Sequence, residues 1–451
     1  MHNLTTLLAF VVTLGILVSI HEYGHYWVAR RCGIKVLVFS IGFGKPLLKW
    51  QRGDTQWQLA AIPLGGYVKM LDEREAPVPA GERQLAFNTQ HPLKKMAVVL
   101  AGPLANLLLA LVLLIGINVY GFDTIKPVVG QVAAGSLAAE SGLRVGDEVV
   151  QVGGRRIDTW DGFFLQMLKQ AYSESTPLTV RRPGQGEITL DLPLARLPAR
   201  PLSPALMRVI GVAPAPTETR LTKVEEGSPA AKAGLRADDL LLRVNGEDAS
   251  DGSALVRLAA RGDGQPLQIT VRRGAQQFTL PVTPVMMDKE GQRAPRIGVA
   301  LSTGIDDARL RALRIQQRYG WLEAPYVATL QLWDEARITL SVFGHMLIGR
   351  ESVKQVSGPL TIAQVAGESA EMGFQPFIQF LVVISLSLGI MNLLPVPVLD
   401  GGHLMYHTAE LLTGRPVSAT VEAIGQRIGL VFLLALMSLA LFNDFHRFLF
   451  G

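Results

Sequence analysis

Residues 4–31 read LTTLLAFVVTLGILVSIHEYGHYWVARR, with no charged side chain between Leu4 and Ile20. Such a run forms an apolar helix of membrane-spanning length, and it leads straight into His-Glu-Tyr-Gly-His at 21–25. On a continuous helix His21 and His25 stand one turn apart on the same face, so two imidazoles reach one ion. Zinc suits such a pair, and Glu22 between them is placed to take a proton from a water that the ion acidifies. The competing reading is a satisfied structural polar cluster. Three ionisable residues in a span-length segment are expensive unless they bind something or line a wet cavity, so the residues point to metal-assisted peptide hydrolysis.

The whole chain agrees with a membrane setting. Of its 451 residues 49% are hydrophobic and 18% charged, and the mean hydropathy is +0.27, which separates it from a large soluble enzyme. A net charge of +5, spread along the chain and gathered beside apolar segments, is membrane topology and not a nucleic-acid footprint. The lone Cys32 excludes an internal disulfide framework and any multi-cysteine zinc site. The N-terminal segment lacks a basic leader region and a small-residue cleavage site, so it is expected to be retained.

Four stretches are expected to cross a bilayer: Leu4–Ala29, Met96–Tyr120, Phe377–Leu399 and Ile428–Phe442, the last being the shortest and extended a little at either end. Arg30, Arg31 and Lys35 follow the first and Lys94 and Lys95 precede the second, so residues 30–95 are expected in the cytoplasm. The segment from 121 to about 376 then lies on the outer face, and His21 and Asp400 share a depth near the cytoplasmic side. The expected fold class is a polytopic α-helical membrane protein of four transmembrane helices, with a membrane-associated β-hairpin or sheet and two inserted α+β domains. Its expected divisions are residues 1–124, 125–215, 216–305, 306–376 and 377–451.

Between the first two spans, Phe39–Gly44, Thr55–Ile62 and Leu64–Met70 read as short strands joined by glycine turns. They form either an ordinary cytoplasmic cap or a sheet whose edge, Gly65, Gly66, Tyr67, Val68, Lys69 and Met70, dips to the active site and pairs with an extended substrate. In the second span, Gly102 and Ala105 permit close helix approach, and Asn106 needs a partner, either in packing or at the catalytic cavity.

The outer segment holds an internal repeat: residues 135–154 match 227–246 at roughly half their positions. Each copy reads as short helix, Gly-Leu turn and Asp-initiated strand, and both resemble PDZ domains, which accept a peptide as an added strand or, with empty grooves, sieve large substrates. Trp321–Ile348 mixes apolar and charged residues and is expected to lie on the outer membrane surface. The third span closes with Asn392-Leu-Leu-Pro395-Val-Pro397-Val-Leu-Asp400-Gly-Gly-His403. Its prolines stop the helix, and unwound backbone at membrane depth is tolerated only beside protein or water. Asp400 is the natural third ligand, helix capping being its alternative role; His403 and His407 are rivals for the position.

With HEYGH in a first membrane helix, GPLAN in a second, NLLPVPVLDGG in a third and a tandem PDZ-like insertion between, the chain resembles the site-2 protease family of intramembrane zinc metalloproteases. The resemblance covers nearly the full length. It implies a bacterial inner-membrane enzyme with Zn2+ as cofactor, cleaving single-pass membrane proteins such as anti-sigma factors and remnant signal peptides, with the lipid bilayer and PDZ peptide ligands as further partners and no nucleic acid. Carried over by position, it makes His21, His25 and Asp400 the ligands, Glu22 the catalytic base, and Asn392, Pro395 and Pro397 the substrate-contacting loop. Two other classes fit parts of the pattern. A PDZ adaptor needs neither zinc nor the glutamate, and a metal transporter needs no general base between its ligands.

Overall fold

The computed structural model describes residues 2–197, 200–203, 205–249, 252–261, 264–289, 292–305, 307–348 and 358–450. Residues 349–357 of the expected 306–376 division therefore lie outside the described residues, as do short pieces of the two inserted copies. The chain divides into two compact units, Met1–Phe122 with Gln317–Gly451, and Asp123–Gln316.

The first unit is built from helices α1 (His2–Arg31), α2 (Pro92–Tyr120), α3 (Ala324–Leu347), α4 (Pro359–Met372), α5 (Phe374–Leu393), α6 (Asp400–Thr413) and α7 (Ala419–Phe450), with strands β1 (Val36–Arg52) and β2 (Thr55–Met70) between α1 and α2. Among the described residues four helices are long and apolar enough to cross a membrane: Leu4–Arg31, Pro92–Tyr120, Phe374–Leu393 and Ala419–Phe445. They fall on the four expected stretches, with ends shifted by a few residues. Within the third stretch the helix ends at Leu393, just before Pro395 and Pro397, the stop expected of those prolines. The fourth extends the Ile428–Phe442 stretch at both ends, to Ala419 and Phe445, because Glu422 and Arg427 interrupt the apolar run without breaking the helix.

α1 and α2 cross closely. A β-carbon on Gly24 would collide with the Ala101 carbonyl and stand 2.8 Å from the Ala105 methyl, so the glycine sets the separation of the two helices at the depth of the histidines. α3 packs along α2 and α5, burying Ala328 against Leu114, Ile117, Val382 and Leu386, and Asn118 of α2 donates to Gln331 at 2.9 Å. Its other face leaves Tyr326 and Trp333 exposed.

β1 and β2 pair antiparallel but bend back on themselves where Gly42 and Gly44 take left-handed backbone angles of 92° and 84°. As a result Val38–Ile41 has partners on both sides, Gln56–Leu59 on one and Gly66–Lys69 on the other. Gly66–Met70 is left as an edge. Ser40 anchors this edge from beneath: the Gln58 amide donates to both Ser40 Oγ (3.1 Å) and the Tyr67 hydroxyl (3.0 Å).

The second unit carries the internal repeat in its structure as well as its sequence. In each copy a serine caps a one-turn helix (Ser136 for Leu137–Glu140, Ser228 for Pro229–Lys232), and a buried aspartate is held by an arginine, Asp147 by Arg182 at 2.7 Å and Asp239 by Arg273 at 2.6 Å. The same arginines donate to the carbonyls of Gly142 and Gly234. In the second copy Leu221, Val244, Ile269 and Val271 fill one core, and Val299–Ile305 forms an edge strand whose partner among the described residues is Thr217–Val224.

Candidate metal centre

Helical spacing places His21 and His25 on one face of α1, and their Nε2 atoms lie 3.2 Å apart. Asp400, the first residue of α6, brings Oδ2 to 3.1 Å from His21 Nε2 and 3.5 Å from His25 Nε2. Among the described residues these three form the one group whose donor atoms, all within 4.8 Å of one another, could hold an ion. Asp400 arrives there because Leu394–Leu399 wraps over the start of α6. Gly401 and Gly402 permit that wrap, since a β-carbon on the first would strike the Leu393 and Leu394 carbonyls and on the second the Val396 carbonyl.

The face of α2 opposite the histidines is the Val98, Gly102, Asn106 stripe at four-residue spacing. The Val98 carbonyl accepts from His25 Nδ1 at 2.7 Å, and the Asn106 side chain meets His21 Nδ1 at 3.2 Å. Gly102 has no room for a side chain, because a β-carbon would press on both Nε2 atoms. Two imidazole nitrogens and one carboxylate oxygen, with space kept open beside them by a glycine, are the donor set of a catalytic zinc centre with a free coordination position.

A cavity of about 470 Å³ opens from this centre and is lined by Glu22, by Gly66–Met70 of the β2 edge, and by Asn392 and Val398–Asp400. Gly66 lies against Glu22: a β-carbon on it would stand 2.8 Å from Glu22 Cγ and 2.7 Å from the Ser40 carbonyl. Of the substrate-contacting residues expected from the sequence, Gly66, Tyr67, Val68, Lys69, Met70 and Asn392 line the cavity, whereas Gly65, Pro395 and Pro397 do not. Gly65 instead lies over the Phe43 ring, and the two prolines shape the turn that delivers Asp400.

His403 and His407 also line the cavity but stand outside the three-donor group. Burial pushes the His407 imidazole below its ordinary pKa, and its Nδ1 is engaged by Glu410 at 3.3 Å. Glu410 is in turn gripped by Lys95 of α2 at 2.7 and 2.9 Å, a pair that joins α6 to α2. That pair and the backbone acceptor at Val98 escape the sequence reading. The four-residue spacing of Val98, Gly102 and Asn106 is the signal that could have found the stripe.

Comparison with known proteins fits this geometry. The sequence profile of peptidase family M50 matches residues 9–436. The chain belongs to that family, the site-2 proteases, and is a zinc metalloprotease. Among its relatives are the regulator of sigma-E protease RseP of Escherichia coli, 37% identical over 459 residues that cover 98% of each chain, and protease RseP of Yersinia pestis, 38% identical over 456 residues covering 99% of this chain and 100% of that one. A Neisseria meningitidis protein named as a candidate zinc metalloprotease is 39% identical over 446 residues, 98% of this chain and 99% of that one.

Proposed function

We propose that His21, His25 and Asp400 hold the zinc, that Glu22 is the general base, and that the enzyme hydrolyses peptide bonds within the membrane segments of single-pass proteins. The observation that carries this reading is the convergence of three donor atoms from α1 and α6 at the head of a cavity walled by Glu22 and a strand edge. Bound zinc supplies Lewis-acid polarisation of the scissile carbonyl and acidifies the attacking water. Glu22 takes the proton from that water and returns it to the leaving nitrogen.

A transmembrane helix hides its peptide bonds behind internal hydrogen bonds, so cleavage requires local unwinding and new partners for the freed backbone groups. The Gly66–Met70 edge, with no strand partner on its cavity side among the described residues, receives the unwound segment as an added strand. Asn392, which lines the same cavity, bonds the substrate's freed amides. The basic residues around 30–35 and 94–95 support a cytoplasmic depth for the centre, and hence an outer location for residues 123–316 in a bacterial inner membrane.

The repeated units of that insertion are read as PDZ domains, with the Val299–Ile305 edge as the peptide-docking strand of the second. Relatives named as regulators of sigma-E support a substrate in sigma-factor control, for which an anti-sigma factor held by one membrane helix is proposed, and remnant signal peptides, as short membrane helices, meet the same requirement. The test is cleavage of a purified single-pass substrate by purified protein, with zinc content measured before and after chelation. Retained cleavage by zinc-free protein, or cuts only outside the membrane segment, would overturn the reading.

A further inference from the structure

The ring nitrogens of His21 and His25 that face Asp400 are both Nε2. A neutral imidazole that gives Nε2 to an ion carries its proton on Nδ1, and a buried N–H requires an acceptor. His25 has one in the Val98 carbonyl, 2.7 Å away. His21 Nδ1 faces the Asn106 amide instead, with Nδ2 at 3.2 Å.

Asn106 is fully buried, and its Oδ1 has no hydrogen-bond partner. An amide nitrogen set against a protonated Nδ1 is donor against donor, while the acceptor of the same side chain stands idle. A half-turn of the amide about its terminal torsion exchanges two atoms of nearly equal size and puts oxygen on the histidine. Helix packing does not explain the amide. The hydrogen bond to α5 at this level uses the Asn106 backbone carbonyl, which accepts from Ser385 Oγ at 2.8 Å, and leaves the side-chain amide out.

We propose that Asn106 is the positioning residue for His21: its Oδ1 accepts the Nδ1 proton and holds the ring with Nε2 turned toward Asp400, in the tautomer that binds zinc. The inference rests on the ligand set proposed above. It makes α2 the common support of both histidines, through a backbone carbonyl for one and a side-chain oxygen for the other.

The test uses the full chain and zinc alone. Zinc affinity is measured by competition with a chromophoric chelator for the parent protein and for Asn106→Leu, Asn106→Ala and Asn106→Asp, together with the melting midpoint of each zinc-free protein. Leucine nearly matches asparagine in volume and lacks the acceptor; aspartate keeps it. The leucine and alanine variants are expected to bind zinc about 10 to 100-fold more weakly, the usual cost of losing a partner of a metal ligand, and the aspartate variant to recover most of that loss.

A purely packing role predicts affinities that ignore the acceptor, so parent-like affinity in the leucine variant, or equal losses in the leucine and aspartate variants, overturns the assignment. If the leucine variant does not fold, the alanine and aspartate pair makes the same comparison. His21→Ala and Asp400→Ala serve as controls. If they leave zinc affinity unchanged, the ligand set is wrong and the Asn106 role falls with it; if they abolish binding while Asn106→Leu does not weaken it, only the Asn106 role is wrong.

Discussion

Gly102 faces His25 across the α1–α2 contact at a distance that excludes any side chain. A β-carbon there would also stand 2.8 Å from His21 Nε2, so the methyl would fill the space that both nitrogens address. Alanine in place of an interior helical glycine ordinarily stabilises a helix by about 0.5–1 kcal/mol. Gly102→Ala should therefore keep or raise the helical content of the zinc-free protein while weakening zinc binding by at least about tenfold. Circular dichroism and chelator competition on one preparation check both halves, and parent-like zinc affinity would mean that the ion sits elsewhere.

Gly66 bears on the proposed base, Glu22, in the same way that Gly102 bears on the proposed ligands. A methyl at 66 would meet the Ser40 carbonyl at 2.7 Å, Glu22 Cγ at 2.8 Å and Val18 Cγ1 at 2.9 Å, so either the strand edge or the Glu22 side chain must move. Displacement of about 1 Å at a catalytic group costs on the order of 100-fold in rate. Gly66→Ala is expected to lower turnover by about 10 to 100-fold at unchanged zinc content. Undiminished cleavage would separate the β2 edge from the chemistry.

The Lys95–Glu410 pair fastens α6, and with it Asp400, to α2. Both side chains are largely enclosed, at 5% and 14% exposure. Burial alone would raise the Glu410 pKa, but the bonds from Lys95 outweigh it and hold the carboxyl below its ordinary value. A carboxyl depressed in the folded state contributes stability that is complete above its unfolded pKa of about 4.3 and is lost as pH falls through the folded value. Melting midpoints should accordingly drop below about pH 4.3 in the parent and show a weaker drop in Glu410→Gln. That variant, which leaves Lys95 buried without its counter-charge, is expected to be less stable by about 3–5 kcal/mol at neutral pH. An identical acid profile in both proteins would assign the loss to other carboxylates.

The membrane helices, the histidine pair and Asp400 were legible because each leaves a local mark: an apolar run, a four-residue spacing, a carboxylate beside two glycines after two prolines. The strand edge was legible for a related reason, since glycine turns and alternation announce short strands. What escaped was set by contacts between distant segments. Lys95 and Glu410 are separated by most of the chain, and nothing local marks either as paired. Gly65, Pro395 and Pro397 were grouped with their neighbours as substrate contacts. In the fold Gly65 lies over the Phe43 ring, and Pro395 and Pro397 follow the end of the helix at Leu393, away from the cavity lining. The end of the third helix was legible too, since Pro395 and Pro397 stop it although hydropathy persists to Leu399.

Glu22 and Asp400 are both carboxylates at the head of the cavity, and the proposed mechanism gives them different work. Asp400 Oδ2 belongs to the converging donor group, whereas Glu22 lines the cavity outside it, against Gly66. Glu22→Gln preserves shape and leaves all three donors, so zinc content should stay near the parent value while cleavage nearly vanishes, a loss of at least about 100-fold for a general base. Asp400→Ala removes one of three protein ligands and should lose zinc and activity together, by more than the 10 to 100-fold that loss of a supporting partner costs. Zinc content and turnover measured on the same two purified variants decide the assignment. A full complement of zinc in the Asp400 variant would transfer the third position to His403 or His407, which line the same cavity; loss of zinc in the Glu22 variant would make the glutamate a ligand and leave the base to be found among the remaining cavity residues.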